Sequence, residues 1–260
     1  MMQKSYAVVT GASSGIGKSF ARQLAKKGYS VVLVARRKER LEELALELGD
    51  QGAESEVFPA DLSQVSECHR LMEALSDRRI VVFINNAGFG DCGPFLETDE
   101  EKELQMMDVN IRAVHVLTKL VLTQMERQKE GYLLNVASSA GLIPAGPYMA
   151  SYYASKAYVA SLTRAVAQEL KERGSNVYIG ALCPGPVDTE FNSVANVEFA
   201  LSGITPDYCV SYALKMMKKK KVVILPTLRM KAVIFAVRLL PHSLYIRMTG
   251  HQQKKKLGRK

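Results

Sequence analysis

The sequence predicts an α/β fold: one doubly wound domain with a seven-stranded parallel sheet flanked by helices on both faces. Three observations carry this. Short runs rich in β-branched residues alternate with longer stretches whose apolar residues recur every three or four positions, the pattern of strand, crossover helix, strand. Runs such as Val31-Val32-Leu33-Val34 and Ile80-Val81-Val82-Phe83-Ile84 are apolar at every position, which a strand buried on both faces requires. The first such run passes at once into a glycine-rich turn and a helical pattern, the opening of a strand-turn-helix unit.

In chain order, strands are expected at 6–10, 30–35, 56–60, 80–85, 132–137, 176–182 and 222–225. A helix over 16–27 puts Ile16, Phe20, Leu24 and Ala25 on one face. Another follows the second strand over 38–48, and a long one runs from 152 to about 171. A length of 260 residues, 47% hydrophobic and 23% charged, suits one globular α/β domain. No linker or repeat divides it, so residues 1–250 are expected to form the domain and 251–260 a basic, frayed tail. Because the first strand starts by Ser5-Tyr6, no leader peptide is expected and the mature chain should begin near residue 1.

The formal charge of +9 raises the question of nucleic acid, and its distribution answers it. Lys218 to Lys221 form one basic run, and Lys254, Lys255, Lys256, Arg259 and Lys260 another, while the first two hundred residues are nearly balanced. No aromatic residues interleave with these runs, so no base-stacking surface and no nucleic-acid partner are expected. The late apolar stretch 222–248 is broken by Pro226, Arg229, Lys231, Arg238, Pro241 and Arg247. Its longest apolar run, 232–237, falls far short of the roughly 20 residues of a membrane span. It reads as a helix on a membrane surface, as a helix closing over a substrate cleft, or as a subunit contact. Four scattered cysteines, with no CxxC pair, suggest neither a zinc site nor a disulfide framework, and agree with a reducing, cytoplasmic setting.

After the first strand comes Thr10-Gly11-Ala12-Ser13-Ser14-Gly15-Ile16-Gly17. Glycine there permits a tight turn and lets backbone approach a pyrophosphate, and the following helix offers unpaired N–H groups and the positive end of its dipole. The spacing is GxxxGxG, a departure from the common GxGxxG. At the end of the second strand, Val34-Ala35-Arg36-Arg37 lacks the acidic residue that would accept from the ribose hydroxyls of NAD. A guanidinium there pairs with a 2′-phosphate instead, which favours NADP. Asp61-Leu62, after the third strand, is placed to hold an adenine amino group or to cap a helix.

Tyr152 and Lys156 stand four apart at the start of the long helix, on one face. A phenol titrates near 10, and a neighbouring ammonium favours the phenolate, so the pair is expected to make a proton donor and acceptor of lowered pKa. Tyr153, four before Ala157, has no such partner. Upstream, Ser138-Ser139 lie where the fifth strand meets a small-residue turn at the carboxyl end of the sheet, the ligand-binding end of such folds.

Taken together these residues resemble the short-chain dehydrogenase/reductase family, of the classical type, over nearly the whole chain. The motifs are the turn 10–17, Asp61-Leu62, Asn85-Asn86-Ala87-Gly88, Asn110 within Asp108-Val109-Asn110-Ile111, Ser138-Ser139, Tyr152-Tyr153-Ala154-Ser155-Lys156, and Cys183-Pro184-Gly185-Pro186-Val187-Asp188-Thr189. The resemblance implies a Rossmann-like fold and a tetrad in which Tyr152 is the acid/base and Lys156 lowers its pKa and holds the nicotinamide ribose. In the same tetrad Ser138 orients the substrate oxygen and Asn110 supports a proton-relay water. It implies that Gly11, Ser13, Ser14, Gly15, Ile16, Gly17, Arg36, Arg37, Asp61 and Leu62 cradle the NADP(H) phosphates and adenosine. Asn86, Ala87 and Gly88 would line the cleft, and Pro184, Gly185, Val187 and Thr189 would contact the nicotinamide amide and pyrophosphate. Family spacing gives two answers for the serine: three residues before Gly141 is Ser138, thirteen before Tyr152 is Ser139. An extra residue in Pro144-Ala145-Gly146-Pro147 reconciles them in favour of Ser138.

The reaction expected is hydride transfer between NADP(H) and a carbonyl or secondary alcohol, with no metal. Substrate contacts are expected from Phe89, Gly90, Tyr148, Met149 and the segment 191–217, where Phe191, Val194, Phe199 and Leu201 suggest an aliphatic, steroid-like or acyl substrate. Helices near 109–128 and 152–171 are expected, from the resemblance, to join subunits into a homodimer or homotetramer. The rival readings are a catalytically silent nucleotide-binding protein, which would be expected to lack Tyr152 or Lys156, and a membrane-surface protein, which would depend on the basic C-terminus.

Overall fold

The computed structural model describes residues 4–191, 195, 203–237 and 239–256. Seven parallel strands form one sheet: β1 (Tyr6–Thr10), β2 (Ser30–Ala35), β3 (Ser55–Pro59), β4 (Ile80–Asn85), β5 (Tyr132–Val136), β6 (Tyr178–Leu182) and β7 (Val223–Ile224), in the order β3-β2-β1-β4-β5-β6-β7. The chain steps outward from β1 to β3, then crosses back to place β4 beside β1. Adjacent connections therefore leave in opposite directions at the carboxyl ends of β1 and β4, which opens a crevice there. Val8, Val32, Phe83 and Leu133 point to one face, and Val9, Leu33, Ile84 and Leu134 to the other, all fully buried. That two-sided burial is why these strands carry no polar alternation.

One face is covered by α1 (Gly15–Ala25) and α2 (Lys38–Asp50), the opposite face by α3 (Val65–Ala74). In α1 the buried apolar side chains are Phe20, Ala21, Leu24 and Ala25, a single stripe, with Gly17 and Ser19 buried beside them. After β4 the chain forms α4 (Glu100–Met107), whose N-cap Asp99 accepts from the backbone N–H of Glu101 at 2.9 Å. A π-helical turn, Asp108–Ala113, then leads directly into α5 (Val114–Gln128). The long α6 (Ala150–Glu172) packs beside α5 over β5 and β6. Between the two layers a buried polar net joins Asn85, Asn135, Thr118 and Thr163: the Asn135 carbonyl oxygen accepts from Asn85 and Thr118, and its amide donates to Thr163 at 3.0 Å. Fully partnered, such a net fixes the register of β4, β5, α5 and α6 beneath the crevice.

On the first face α7 (Pro206–Lys218) starts at Thr205, whose side chain accepts from the N–H of Tyr208, with proline in the first turn. The basic run 218–221 has a local explanation: Lys218 lies in the last turn of α7, at the negative end of its dipole, and the Lys220 ammonium donates to the Asn176 carbonyl. Finally α8 (Leu228–Val237) and α9 (His242–Lys256) fold back over the crevice. Here the structure departs from the frayed tail expected from residue 251. Helix α9 runs on to Lys256, because Thr249 and Gln253 on its inner face are 4% and 3% exposed and hold it to the domain. Among the described residues no helix is long and apolar enough to cross a membrane.

Candidate active site

The turn after β1 takes its shape from glycine. Gly11 has φ +65°, in the left-handed region, and a Cβ on Gly17 would lie 2.1 Å from the Gly11 carbonyl oxygen. The side chain of Ser14, the N-cap of α1, makes no capping hydrogen bond, and the first turn of α1 holds no acidic residue. The N–H groups there are thus left to an anion. The turn is tied to the next strand by Thr10, whose hydroxyl accepts from the N–H groups of Asn86 at 2.8 Å and Ala87 at 2.9 Å, while the Asn86 amide donates back to the Thr10 carbonyl.

These segments open onto one cleft of about 890 Å³. Gly11, Ser13, Ser14, Gly15, Ile16, Arg36, Arg37, Asp61, Leu62, Asn86, Ala87, Gly88, Pro184, Gly185, Val187 and Thr189 all line it, as do Ser138, Tyr152 and Lys156. Of the site residues picked from the sequence, Gly17 and Asn110 are the two not at the surface of the cleft. Gly17 acts through its close approach to Gly11. Asn110 is fully buried: its amide donates to the Phe89 carbonyl at 2.8 Å and to the Ser155 hydroxyl at 3.1 Å, and its side-chain oxygen accepts from the Phe89 N–H. Its side chain pins the segment after β4 through these three hydrogen bonds.

At the adenosine end the Arg37 guanidinium donates to the Ser13 hydroxyl at 3.0 Å and to Glu190 at 3.1 Å, and Arg40 also pairs with Glu190. Arg36 stands exposed at the mouth, without an ion pair among the described residues. Asp61 lines the cleft and accepts from the Ser63 N–H, ahead of the N-cap of α3 at Gln64. A shape with an anion-ready helix start at one wall and guanidinium groups at the far end fits a dinucleotide.

At the other end Tyr152 is 8% exposed, with the Ser138 side chain beside its hydroxyl. Ser138 accepts from the Ala140 N–H at 3.1 Å, which fixes its rotamer at the start of a short 3-10 turn. Ser139 instead uses its backbone N–H on the Pro184 carbonyl. The Lys156 ammonium lies 5.9 Å from the centre of the Tyr152 ring and donates to the Val136 carbonyl at 3.0 Å.

The expected lowering of the phenol's pKa is not what this geometry produces. Burial pushes Tyr152 up, to about 12, against the smaller opposing effect of Ser138. Burial also pushes Lys156 down, to about 8, with the Cys183 sulfur acting the other way. The spacing brings the ammonium within 5.9 Å of the phenol's ring centre, and exclusion of water disfavours both charged forms.

Of the expected substrate contacts, Phe89, Met149 and Phe191 line the cleft, with Phe191 5.4 Å from the Tyr152 ring. Tyr148 does not; it sits just behind, beside Met149, and Gly90 packs against Phe191 and Tyr152. Val194, Phe199 and Leu201 lie outside the described residues. The sequence singles out neither Tyr153 nor particular residues of the late helices, for which closing over a substrate cleft is one of three readings: Tyr153, Met230, Val233, Tyr245, Met248, Thr249 and Gln253 line the same cleft. A signal was present in the spacing of 245, 249 and 253, which returns every four residues.

Comparison with known proteins places these features. A family model described as short chain dehydrogenase matches residues 5–198. Very-long-chain 3-oxoacyl-CoA reductase of Anas platyrhynchos is 36% identical over 200 residues, 75% of this chain and 63% of that protein. Inactive hydroxysteroid dehydrogenase-like protein 1 of Homo sapiens is 31% identical over 205 residues, 77% of this chain and 61% of that one. The match thus spans about six-tenths of the length of these relatives. Among solved structures, a short-chain dehydrogenase from Sphingobium yanoikuyae in complex with NADPH superimposes with a TM-score of 0.81 at 31% identity, over 90% of this chain and 94% of that one. From the parallel sheet, the glycine turn and these matches, the chain belongs to the short-chain dehydrogenase family of oxidoreductases.

Proposed function

We propose that this chain is an NADP(H)-dependent oxidoreductase that interconverts a carbonyl and a secondary alcohol on an apolar small molecule. The observation that carries this is the buried Tyr152 hydroxyl, with Ser138 beside it and the Lys156 ammonium near its ring, in a cleft continuous with the glycine cradle. A bound nicotinamide nucleotide supplies hydride chemistry at the substrate carbon. Ser138 and Tyr152 hold the substrate oxygen by hydrogen bonds, and in reduction Tyr152 passes its proton to that oxygen as the carbon is reduced. Lys156 stabilises the phenolate that remains, and the walls of Phe89, Met149 and Phe191 keep water away. Asn110 keeps the segment after β4 in place from behind.

Preference for NADP(H) over NAD(H) is supported by Arg36 and Arg37 at the adenosine end and by the NADPH complex of the Sphingobium relative. An acyl or steroid-like ketone is supported by the apolar walls and by the acyl-CoA reductase named among the relatives. Assembly as a dimer or tetramer through the outer faces of α5 and α6 belongs to the same reading, as does a cytoplasmic setting, with which four buried cysteines agree.

The test follows NADPH absorbance with long-chain β-keto thioesters and steroid ketones. Tyr152→Phe should lower turnover by about a hundredfold or more while nucleotide binding persists. Undiminished turnover in that variant overturns the proposed chemistry. Ser138→Ala should cost far more than Ser139→Ala, and the reverse order moves the substrate-orienting role to Ser139.

A further inference from the structure

The substrate end of the cleft is walled by helices α8 and α9, which lie beyond the 5–198 span matched by the family model. Helix α9 is firmly held. Gly250 packs against Pro147, where an added Cβ would come within 3.2 Å of the ring, and Thr249 is buried. One turn on, Gln253 is 3% exposed and its amide donates to the Tyr153 hydroxyl at 2.7 Å. Among the described residues, its carbonyl oxygen Oε1 is the one buried side-chain polar atom with no hydrogen-bond partner. Both Gln253 and Tyr153 line the cleft, and the Tyr153 ring stands edge-on to that of Tyr152, centroids 6.3 Å apart.

A buried acceptor left without a donor is costly, and native structures rarely keep one without a use. Of the other residues lining the cleft, Ile143, Met149, Val233 and Met248 carry no side-chain donor, while the hydroxyls of Tyr153, Tyr245 and Thr249 do. We propose that Oε1 of Gln253 is a substrate-recognition acceptor, taking a hydrogen bond from an O–H or N–H group that an otherwise apolar ketone carries away from its reacting carbonyl. The preferred substrate is then a ketone with a second, donor-bearing group: a hydroxyl on a far ring, or an amide N–H along an acyl chain. This rests on the ketone-reducing reading of the cleft and assigns α9 the job of choosing among ketones.

The experiment uses matched probes: a steroid ketone with and without a hydroxyl on the ring farthest from the carbonyl, and a long-chain β-keto amide beside its ester. Wild type, Gln253→Met and Gln253→Glu are compared by kcat/KM with NADPH and by calorimetric binding. Gln253→Met should lose about tenfold on at least one donor-bearing probe while its donor-free partner changes less than about twofold, and Gln253→Glu, which keeps an acceptor, should retain the preference. Equal losses on both members of each pair, no loss at all, or loss of the preference in Gln253→Glu overturns the proposal. Binding separates the two levels: a binding preference removed by methionine but no turnover in wild type sinks the ketone-reducing reading alone, and turnover indifferent to residue 253 sinks this inference alone. If binding discriminates for the hydroxyl pair only, the donor is an alcohol; for the amide pair only, it is a chain amide.

Discussion

Replacing Lys156 with methionine should stabilise the folded protein near neutral pH while it abolishes turnover. The side chain is 4% exposed, and burial moves its pKa from 10.5 to about 8. Holding such an ammonium costs the fold about 3 kcal/mol at neutral pH. Methionine has similar volume and no charge, but forfeits the 3.0 Å hydrogen bond to the Val136 carbonyl, about 1 kcal/mol. The net gain is about 2 kcal/mol, or about 4 to 8 °C in Tm for a domain of this size. The sign with pH follows from the folded pKa lying below the unfolded one. Between about 8 and 10.5 the unfolded chain binds more protons, so the wild type gains stability as pH rises through that window. The advantage of the variant should therefore be full below about pH 8 and fade toward pH 10.5. Thermal unfolding followed by circular dichroism, with both proteins in the same buffers from about pH 7 to about pH 10, reads this directly. A Tm difference that stays constant across the range, or a variant less stable at neutral pH, refutes the burial argument.

Turnover carries its own pH signature. Reduction should slow as pH rises through about 8, where Lys156 loses the charge that supports the phenolate, and a kcat profile with saturating NADPH that stays flat above that point removes Lys156 from the role. Replacing Arg36 and Arg37 together by alanine should raise KM for NADPH by about a hundredfold or more, from charge-assisted bonds of about 1.5 to 3 kcal/mol each, and leave KM for NADH nearly unchanged. Equal effects on both nucleotides show that these guanidinium groups do not meet the extra phosphate. Gly17→Ala sets a Cβ 2.1 Å from the Gly11 carbonyl, so the turn must deform; calorimetric titration with NADPH should find binding lost, and intact binding shows that the turn is not the cradle.

Much of the site is legible in the sequence because its signals are local. Tyr152 and Lys156 declare themselves by one helical turn of spacing, and the glycine turn by its place between strand and helix. The strands are recognisable because residues such as Val31 to Val34 tolerate no solvent on either side. What stayed hidden depends on distant packing. Gln253 sits beside Lys254 to Lys256, and nothing within that polar stretch reveals that one residue of it meets Tyr153, a hundred positions earlier. The pKa of Tyr152 went the other way for a related reason: adjacency is written in the chain, but the water that surrounding elements remove is not. The left-handed backbone of Tyr148, φ +66°, is likewise imposed from outside, since tyrosine has no local preference for it.

The π-helical turn at Asp108–Ala113 also left no trace in residue pattern, and it makes chain length count at that spot. Such a turn carries more residues per revolution than the α-helices it joins. Excising one residue there would let α4 and α5 merge into a single regular helix with its backbone bonds intact. Whatever preceded the cut would then be wound back by about 100° relative to what followed, carrying the Asn110 amide off its grip on Phe89. A shortened chain of this kind would lose stability along with activity, because the fully buried Asn110 amide would leave its three partners and the buried face of α4 would turn away from the core.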